Sequence, residues 1–136
     1  MLSKRDWDAA AALERKMYLE LTEVQDLTAE LSSALDRRDQ VSAQMFLGMR
    51  QEQINRLQEW KELLRKQCAA LPREDGERLR QVLSGQRREE GDGRVLSALV
   101  NKNRALLDRV IQADRRLNRR LAGGRSFYGA AEHEAR

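Results

Sequence analysis

The stretch that decides the fold is "NKNRALLDRVIQADRRLNRR", residues 101–120. Apolar residues recur in it at every third or fourth position, which places them on one face of an α-helix. Extended in both directions, this face forms a seam in which Asn103 and Asp114 are the polar members. The seam reads Leu96, Val100, Asn103, Leu107, Val110, Asp114, Leu117 and Leu121. A neighbouring stripe adds Leu99, Leu106, Ile111 and Ala113. We therefore predict a long helix, from about residue 92 to residue 122, with a broad apolar face.

A first helix with the same spacing is predicted from about Ser3 to Arg37. Ser3, followed by Asp6 three residues later, forms a capping pattern at its start. Each apolar step is three or four residues long, which is typical of a coiled-coil-like seam. That seam consists of Ala10, Leu13, Met17, Leu21, Val24, Leu27, Leu31 and Leu35. A tight reversal is predicted at residues 36–39, where Asp39 is suited to cap the next helix.

A second helix is predicted from about Val41 to Ala70. Leu71 ends it, because the residue before a proline avoids helical geometry and Pro72 follows. Arg50 and Lys61 interrupt its apolar series, and we expect their aliphatic stems to pack there. Its seam consists of Leu47, Ile54, Leu57, Leu64, Cys68 and Leu71, and Phe46, Met49, Trp60 and Leu63 widen it. A short third helix, about Arg73 to Ser84, comes next.

The remaining segments are predicted to lie outside the helices. "SGQRREEGDGR", residues 84–94, has three glycines and no apolar residue, which predicts a surface loop with Glu89 and Glu90 in solvent. "AGG", residues 122–124, is a strong helix stop, because glycine tolerates the left-handed conformation of a C-cap. The sequence therefore predicts one helical domain, residues 1–122, and a flexible tail, residues 123–136.

Together these elements predict an all-α protein, an elongated antiparallel bundle of three long helices plus one short helix. Charged residues make up 35% of the chain and aromatic residues only 4%, a composition typical of long helices. Residues 1–40 hold six basic and nine acidic residues, whereas residues 86–136 hold twelve basic and seven acidic. We expect these two regions to attract each other when packed side by side.

The sequence argues against several classes of function. The single Cys68 forms no internal disulfide, and the single His133 lies three residues from the end. No catalytic or metal-binding motif is present, so we expect no enzyme activity, no cofactor and no metal. No apolar run is long enough for a membrane span, so we expect a cytoplasmic protein without stable membrane insertion. Asp108 and Asp114 interrupt the arginines of the last helix, so no nucleic-acid binding is expected.

Asn103 is the unusual residue of the last seam. A buried asparagine must find hydrogen-bond partners, and meeting that need fixes the register of a helix at some cost in stability. The alternative is a position in a solvent-exposed groove. The pattern leaves both readings open.

Three segments carry a resemblance to a known family. The first helix contains "YLELTEVQDLTAELSSALDRRD", residues 18–39, and the second contains "VSAQMFLGMRQEQINRLQEWKELLRKQ", residues 41–67. The last contains "VNKNRALLDRVIQADRRLNRRL", residues 100–121, followed by "SFYGA", residues 126–130. In this order the chain resembles the FlgN family of flagellar type III export chaperones.

The resemblance implies a small, cytoplasmic, non-enzymatic chaperone. Members of that family bind the C-terminal helical regions of hook-associated proteins, prevent their premature assembly and deliver them to the flagellar export gate. The implied client-binding residues are Val100, Asn103, Leu107, Val110 and Leu117. The implied contacts with the export gate are Phe127 and Tyr128. We expect the broad apolar face of the last helix to stay partly open in the free protein, which forms at most a weak homo-oligomer.

A second interpretation belongs to another class of protein. The same amphipathic faces are expected in a structural coiled-coil protein that self-associates and has no role in export. The two interpretations differ in what covers the apolar face of the last helix, a client or a second copy of the chain.

Overall fold

In the described part of the chain, the backbone forms four α-helices: α1 (Lys4–Asp36), α2 (Gln40–Ala70), α3 (Arg73–Leu83) and α4 (Arg94–Ala135). A single 3₁₀ turn, Gly91–Gly93, precedes α4. The computed structural model describes the backbone of residues 1–135 and the side chains of residues 1–122. No strand occurs within the described backbone, so the predicted all-α bundle is confirmed.

The helices run up, down, up and up along one axis. α2 is antiparallel to α1, since Ala43 packs beside Ala34 at one end and Gln67 donates to the main-chain oxygen of Asp6 at the other. α4 is parallel to α1, since Asn103 meets Glu14 and Leu117 meets Leu31 further along. The loop after α3 returns the chain to the start of the bundle, so that α4 runs in the same direction as α3.

The predicted caps and the predicted reversal form as expected. The Ser3 hydroxyl accepts from the Asp6 amide, while the Asp6 carboxylate accepts from the Ser3 amide, which completes a capping box. Arg38 closes the reversal with φ 57°, and the Asp39 amide donates to the Ala34 oxygen at 2.9 Å. This is a Schellman motif with arginine where glycine is usual. Asp39 then caps α2 by accepting from the Ser42 amide at 3.1 Å.

α1 supplies the core along its whole length. Three apolar clusters are stacked along the bundle, and each contains α1 residues: Trp7 and Ala10 in the first, Leu21 and Val24 in the second, Leu31 and Ala34 in the third. The predicted α1 seam is confirmed, since most of its residues are buried and Leu13 and Leu35 are half-buried.

The prediction that Glu89 lies in solvent is wrong. Its carboxylate accepts two hydrogen bonds from Arg78, at 2.7 and 2.8 Å, and one from Arg87 at 2.9 Å. Its amide donates to Ser97 Oγ at 2.9 Å, which ties the loop to α4. These donors lower the pKa of Glu89, the Arg78 hydrogen bonds being the largest cause. A charged residue is buried here because several hydrogen bonds compensate for its lost hydration.

The prediction that the last helix ends at residue 122 is also wrong, because α4 extends to Ala135. A glycine in a helix interior costs only about 1 kcal/mol relative to alanine, so Gly123 and Gly124 do not by themselves stop a helix. Whether residues 123–136 form a flexible tail stays a prediction. The side chains of Phe127 and Tyr128 lie outside the described residues.

Gly76 permits the close packing of α3 on α2. A Cβ added at this position would lie 2.4 Å from the main-chain oxygen of Cys68, a distance that requires the helices to move apart. We expect Gly76→Ala to lower the free energy of unfolding by about 1–2 kcal/mol, as overpacking does. Urea unfolding followed by circular dichroism measures this.

Gly48→Ala is the matched control within α2. A Cβ at Gly48 meets nothing within 4 Å, so alanine should raise the free energy of unfolding by about 0.5–1 kcal/mol. A Gly76→Ala protein as stable as the Gly48→Ala protein would contradict the packing of α3 described here.

Candidate partner-binding groove

A groove separates α2 from α4 along one side of the bundle. Both helices pack on α1, but among the described residues their backbones do not approach each other. The groove has a volume of about 420 Å³ and is lined by three long helices and the end of α3. Its apolar lining consists of Met17, Leu21 and Val24 from α1, Ile54 and Leu57 from α2, Leu83 from α3, and Val100, Leu107, Val110 and Ile111 from α4.

α3 occupies the fourth helix position of the bundle over a short distance only. It packs against both α2 and α4, with Leu79 and Val82 buried in the first core cluster. α3 has 11 residues, whereas α1 has 33, so beyond Leu83 the fourth position is not filled by a helix. The groove is this unfilled position. From Val100 to Asp114 it follows about 21 Å of α4, at 1.5 Å per residue.

The depth of the groove determines how far each apolar residue is covered. Leu21 and Val24 form the floor and are buried by the helices on both sides. Ile54 and Leu57 on one wall and Leu107 on the other are half-buried, and Ile111 is exposed at the rim. A ligand can therefore cover these four aliphatic side chains without any rearrangement of the core.

Arg50 and Asp114 close the end of the groove opposite α3. The Arg50 side chain is 12% exposed, and its guanidinium forms an ion pair with Asp114 and donates to Thr28 Oγ1 at 2.9 Å. Within the described side chains, this is the polar contact that joins α2 to α4. Each residue interrupts the apolar seam of its own helix. The sequence therefore showed both charges as interruptions of apolar seams. It did not show that they form an ion pair, because that requires knowing which helices are neighbours.

Asn103 and Glu14 form a buried polar pair beside the groove floor. Asn103 is 5% exposed and Glu14 is 4% exposed. Asn103 Nδ2 donates to Glu14 Oε2 at 2.6 Å and to the Glu14 main-chain oxygen at 2.9 Å. Burial raises the pKa of Glu14, while the Asn103 hydrogen bond and the charge of Lys61 oppose that shift. These bonds fix the register of α4 against α1, as one of the two readings of Asn103 predicted.

The five residues predicted to bind a client lie along α4 but are not equally accessible. Val100, Asn103, Val110 and Leu117 are buried against α1, because α1 already covers the seam of α4. Leu107 is half-buried in the groove wall. The expectation of an open α4 face is therefore met at Leu107 and at the neighbouring Ile111, and not at the other four positions. The open apolar surface also includes α2, whose contribution was not predicted.

Comparisons with known proteins give no assignment, since no protein family, curated protein or solved structure matches the chain. Among the described residues, no cluster of three or more His, Cys, Asp or Glu side chains is arranged to hold a metal ion. None of the helices, over the part of the chain that was described, has the length and apolarity to cross a membrane.

The Asn103–Glu14 pair predicts a strongly coupled double-mutant cycle. Asn103→Leu leaves the buried Glu14 carboxylate without its side-chain donor, so it should lower the free energy of unfolding by about 1–3 kcal/mol at pH 7. Adding Glu14→Leu removes the stranded charge and should restore most of that loss. Urea unfolding of the four proteins measures the coupling, and additive effects would show that the two side chains do not depend on each other.

Glu14 also predicts a specific pH dependence of stability. Its folded pKa is raised, so the folded state binds more protons than the unfolded state, and stability is lost as pH rises through the folded pKa. Glu14→Gln keeps an oxygen acceptor for Asn103 and removes this penalty. We expect Glu14→Gln to be more stable than the wild type at pH 7, with a difference that shrinks towards pH 4. The exposed Glu59→Gln is the control, and an equal effect at both pH values would contradict the burial of Glu14 as its cause.

Proposed function

We propose that this protein is a chaperone that holds an amphipathic helix of another protein in the groove between α2 and α4. The proposal rests on the fourth helix position of the bundle, which α3 fills as far as Leu83. Beyond Leu83 no helix of the described chain fills this position, and its floor is apolar. A helix is the natural ligand because α3, itself a helix, occupies the same position next to the groove. Helix-in-groove binding uses anchors spaced three, four and seven residues apart.

The apolar walls provide enough free energy for reversible binding. Covering Ile54, Leu57, Leu107 and Ile111 completes a burial that is partly achieved, at on the order of 1 kcal/mol for each side chain. The ligand's own apolar stripe contributes a similar amount, and the loss of translational freedom offsets part of the sum. Binding of this strength covers the apolar surface of the ligand helix and still permits the release of the ligand.

The flagellar assignment rests on the resemblance to the FlgN family. On that basis the ligand is the C-terminal helical region of a hook-associated protein, and the chaperone acts in the cytoplasm. Occupying that helix would prevent premature assembly, because the surface used for polymerisation would be covered. The mechanism is differential binding and needs no covalent chemistry. Docking of Phe127 and Tyr128 at the export gate is part of the same proposal.

Self-association is the second candidate, and one observation favours it. Val41, Met45 and Met49 are exposed and spaced four residues apart, so they form an apolar stripe on the outer side of α2. A structural coiled-coil protein would use such a stripe to pair with a second copy. The two functions differ in their dependence on concentration, since sedimentation on dilution reveals a self-associating chain.

Trimming both walls of the groove tests the chaperone function. We expect Ile54→Ala with Leu107→Ala to weaken binding of the C-terminal helical fragment of a hook-associated protein from the same genome at least tenfold, because two anchor contacts are lost. Fluorescence anisotropy measures the affinity, and circular dichroism verifies that the variant is folded.

Leu19→Ala with Leu63→Ala is the matched control, since both leucines are exposed outside the groove. This variant should bind as tightly as the wild type. Equal weakening by the two double variants, or no binding of the fragment by the wild type, would refute the proposed function.

A further inference from the structure

Two cations face each other across the mouth of the groove. Lys61 lies on the α2 wall and Arg104 on the α4 wall, and both side chains are exposed. Lys61 forms no hydrogen bond or ion pair within the described side chains. The Arg104 guanidinium donates to the main-chain oxygen of Ser84, a neutral partner that leaves its positive charge unmatched. The mouth is therefore positive on both sides.

The two acidic residues that line the groove form no ion pair with Lys61 or Arg104 within the described side chains. Asp114 is already paired with Arg50 at the far end. Glu14 lies close enough to Lys61 for that charge to oppose the rise of its pKa, but it is 4% exposed and accepts a hydrogen bond from Asn103, so it lies beneath the mouth and is not accessible to a ligand. A ligand that enters the groove thus passes between Lys61 and Arg104 without meeting an exposed carboxylate at the same level.

From this arrangement we infer that the groove selects an amphipathic helix whose apolar stripe is flanked on both sides by acidic residues. The inference rests on the proposed function, because it specifies the ligand of the same groove. When the stripe of a helix faces the α1 floor, the residues on either side of the stripe face the α2 and α4 walls. Acidic residues at these flanks pair with Lys61 and Arg104, as flanking charges do in coiled coils.

The stripe supplies most of the affinity, and the flanks supply the selectivity. Exposed ion pairs contribute little to affinity individually, but like charges at the same positions are unfavourable. A helix with lysines at its flanks should therefore bind more weakly than one with glutamates, although both bury the same apolar surface. The difference should shrink at high salt, because the pairs at the mouth are open to solvent.

Two synthetic helices test this selectivity with the full-length chain. Both have about 18 residues and the same leucine stripe, and their flanks are glutamate in one and lysine in the other. We expect the wild type to bind the glutamate peptide roughly fivefold more tightly at low salt. Lys61→Glu should abolish or reverse this preference. Lys66→Glu makes the same change in net charge on α2 outside the groove and should leave the preference intact.

The outcomes distinguish a failure of this inference from a failure of the proposed function. Equal binding of both peptides by the wild type, with both sensitive to Ile54→Ala and Leu107→Ala, overturns the acidic flanks and leaves the chaperone function intact. Equal effects of Lys61→Glu and Lys66→Glu also overturn it, because net charge then explains the preference. Failure to bind either peptide refutes both proposals. A dimer that the peptides convert to monomer identifies a second copy of the chain as the ligand, which contradicts the inference.

Discussion

The whole structure depends on the packing of two helices on opposite sides of one seam of α1. α2 and α4 each cover part of that seam, and over the part of the chain that the structure describes their backbones do not meet. Leu21 and Val24 are buried between them and form the floor of the groove. The side of the groove opposite α1 is open. A three-helix arrangement with a fourth position left unfilled follows from this geometry, and α3 is too short to fill more than one end.

Polar residues in the seams hold this open arrangement in register. A purely apolar seam allows one helix to slide by a turn against another at little cost, whereas a buried hydrogen bond is lost when it slides. Asn103 with Glu14 fixes α4 against α1, and Arg50 links α2 to both Thr28 and Asp114. These polar contacts therefore hold the two walls in place although, among the described residues, the backbones of α2 and α4 do not meet.

Local signals in the sequence predicted the helices well, because caps and apolar spacing act over a few residues. Ser3, Asp39 and Pro72 predicted the first residues of α1, α2 and α3 to within one residue of their observed positions. The left-handed Arg38 was not foreseeable, since arginine is uncommon in that conformation. The end of α4 was mispredicted because two glycines weaken a helix without ending it. Glu89 was misplaced because its partner Arg78 lies on another element.

The candidate site was less predictable, since a groove is a property of helix neighbours and not of one helix. The broad apolar face of α4 was visible in the sequence, but its division between α1 and the groove was not. The only two isoleucines in the chain, Ile54 and Ile111, lie on opposite walls of the groove. Methyl NMR of the isoleucine-labelled protein with an unlabelled client helix therefore tests the central claim directly. If the client helix lies between α2 and α4, both δ1 methyl signals shift and give intermolecular contacts to the client. Binding that leaves both signals unchanged would contradict it.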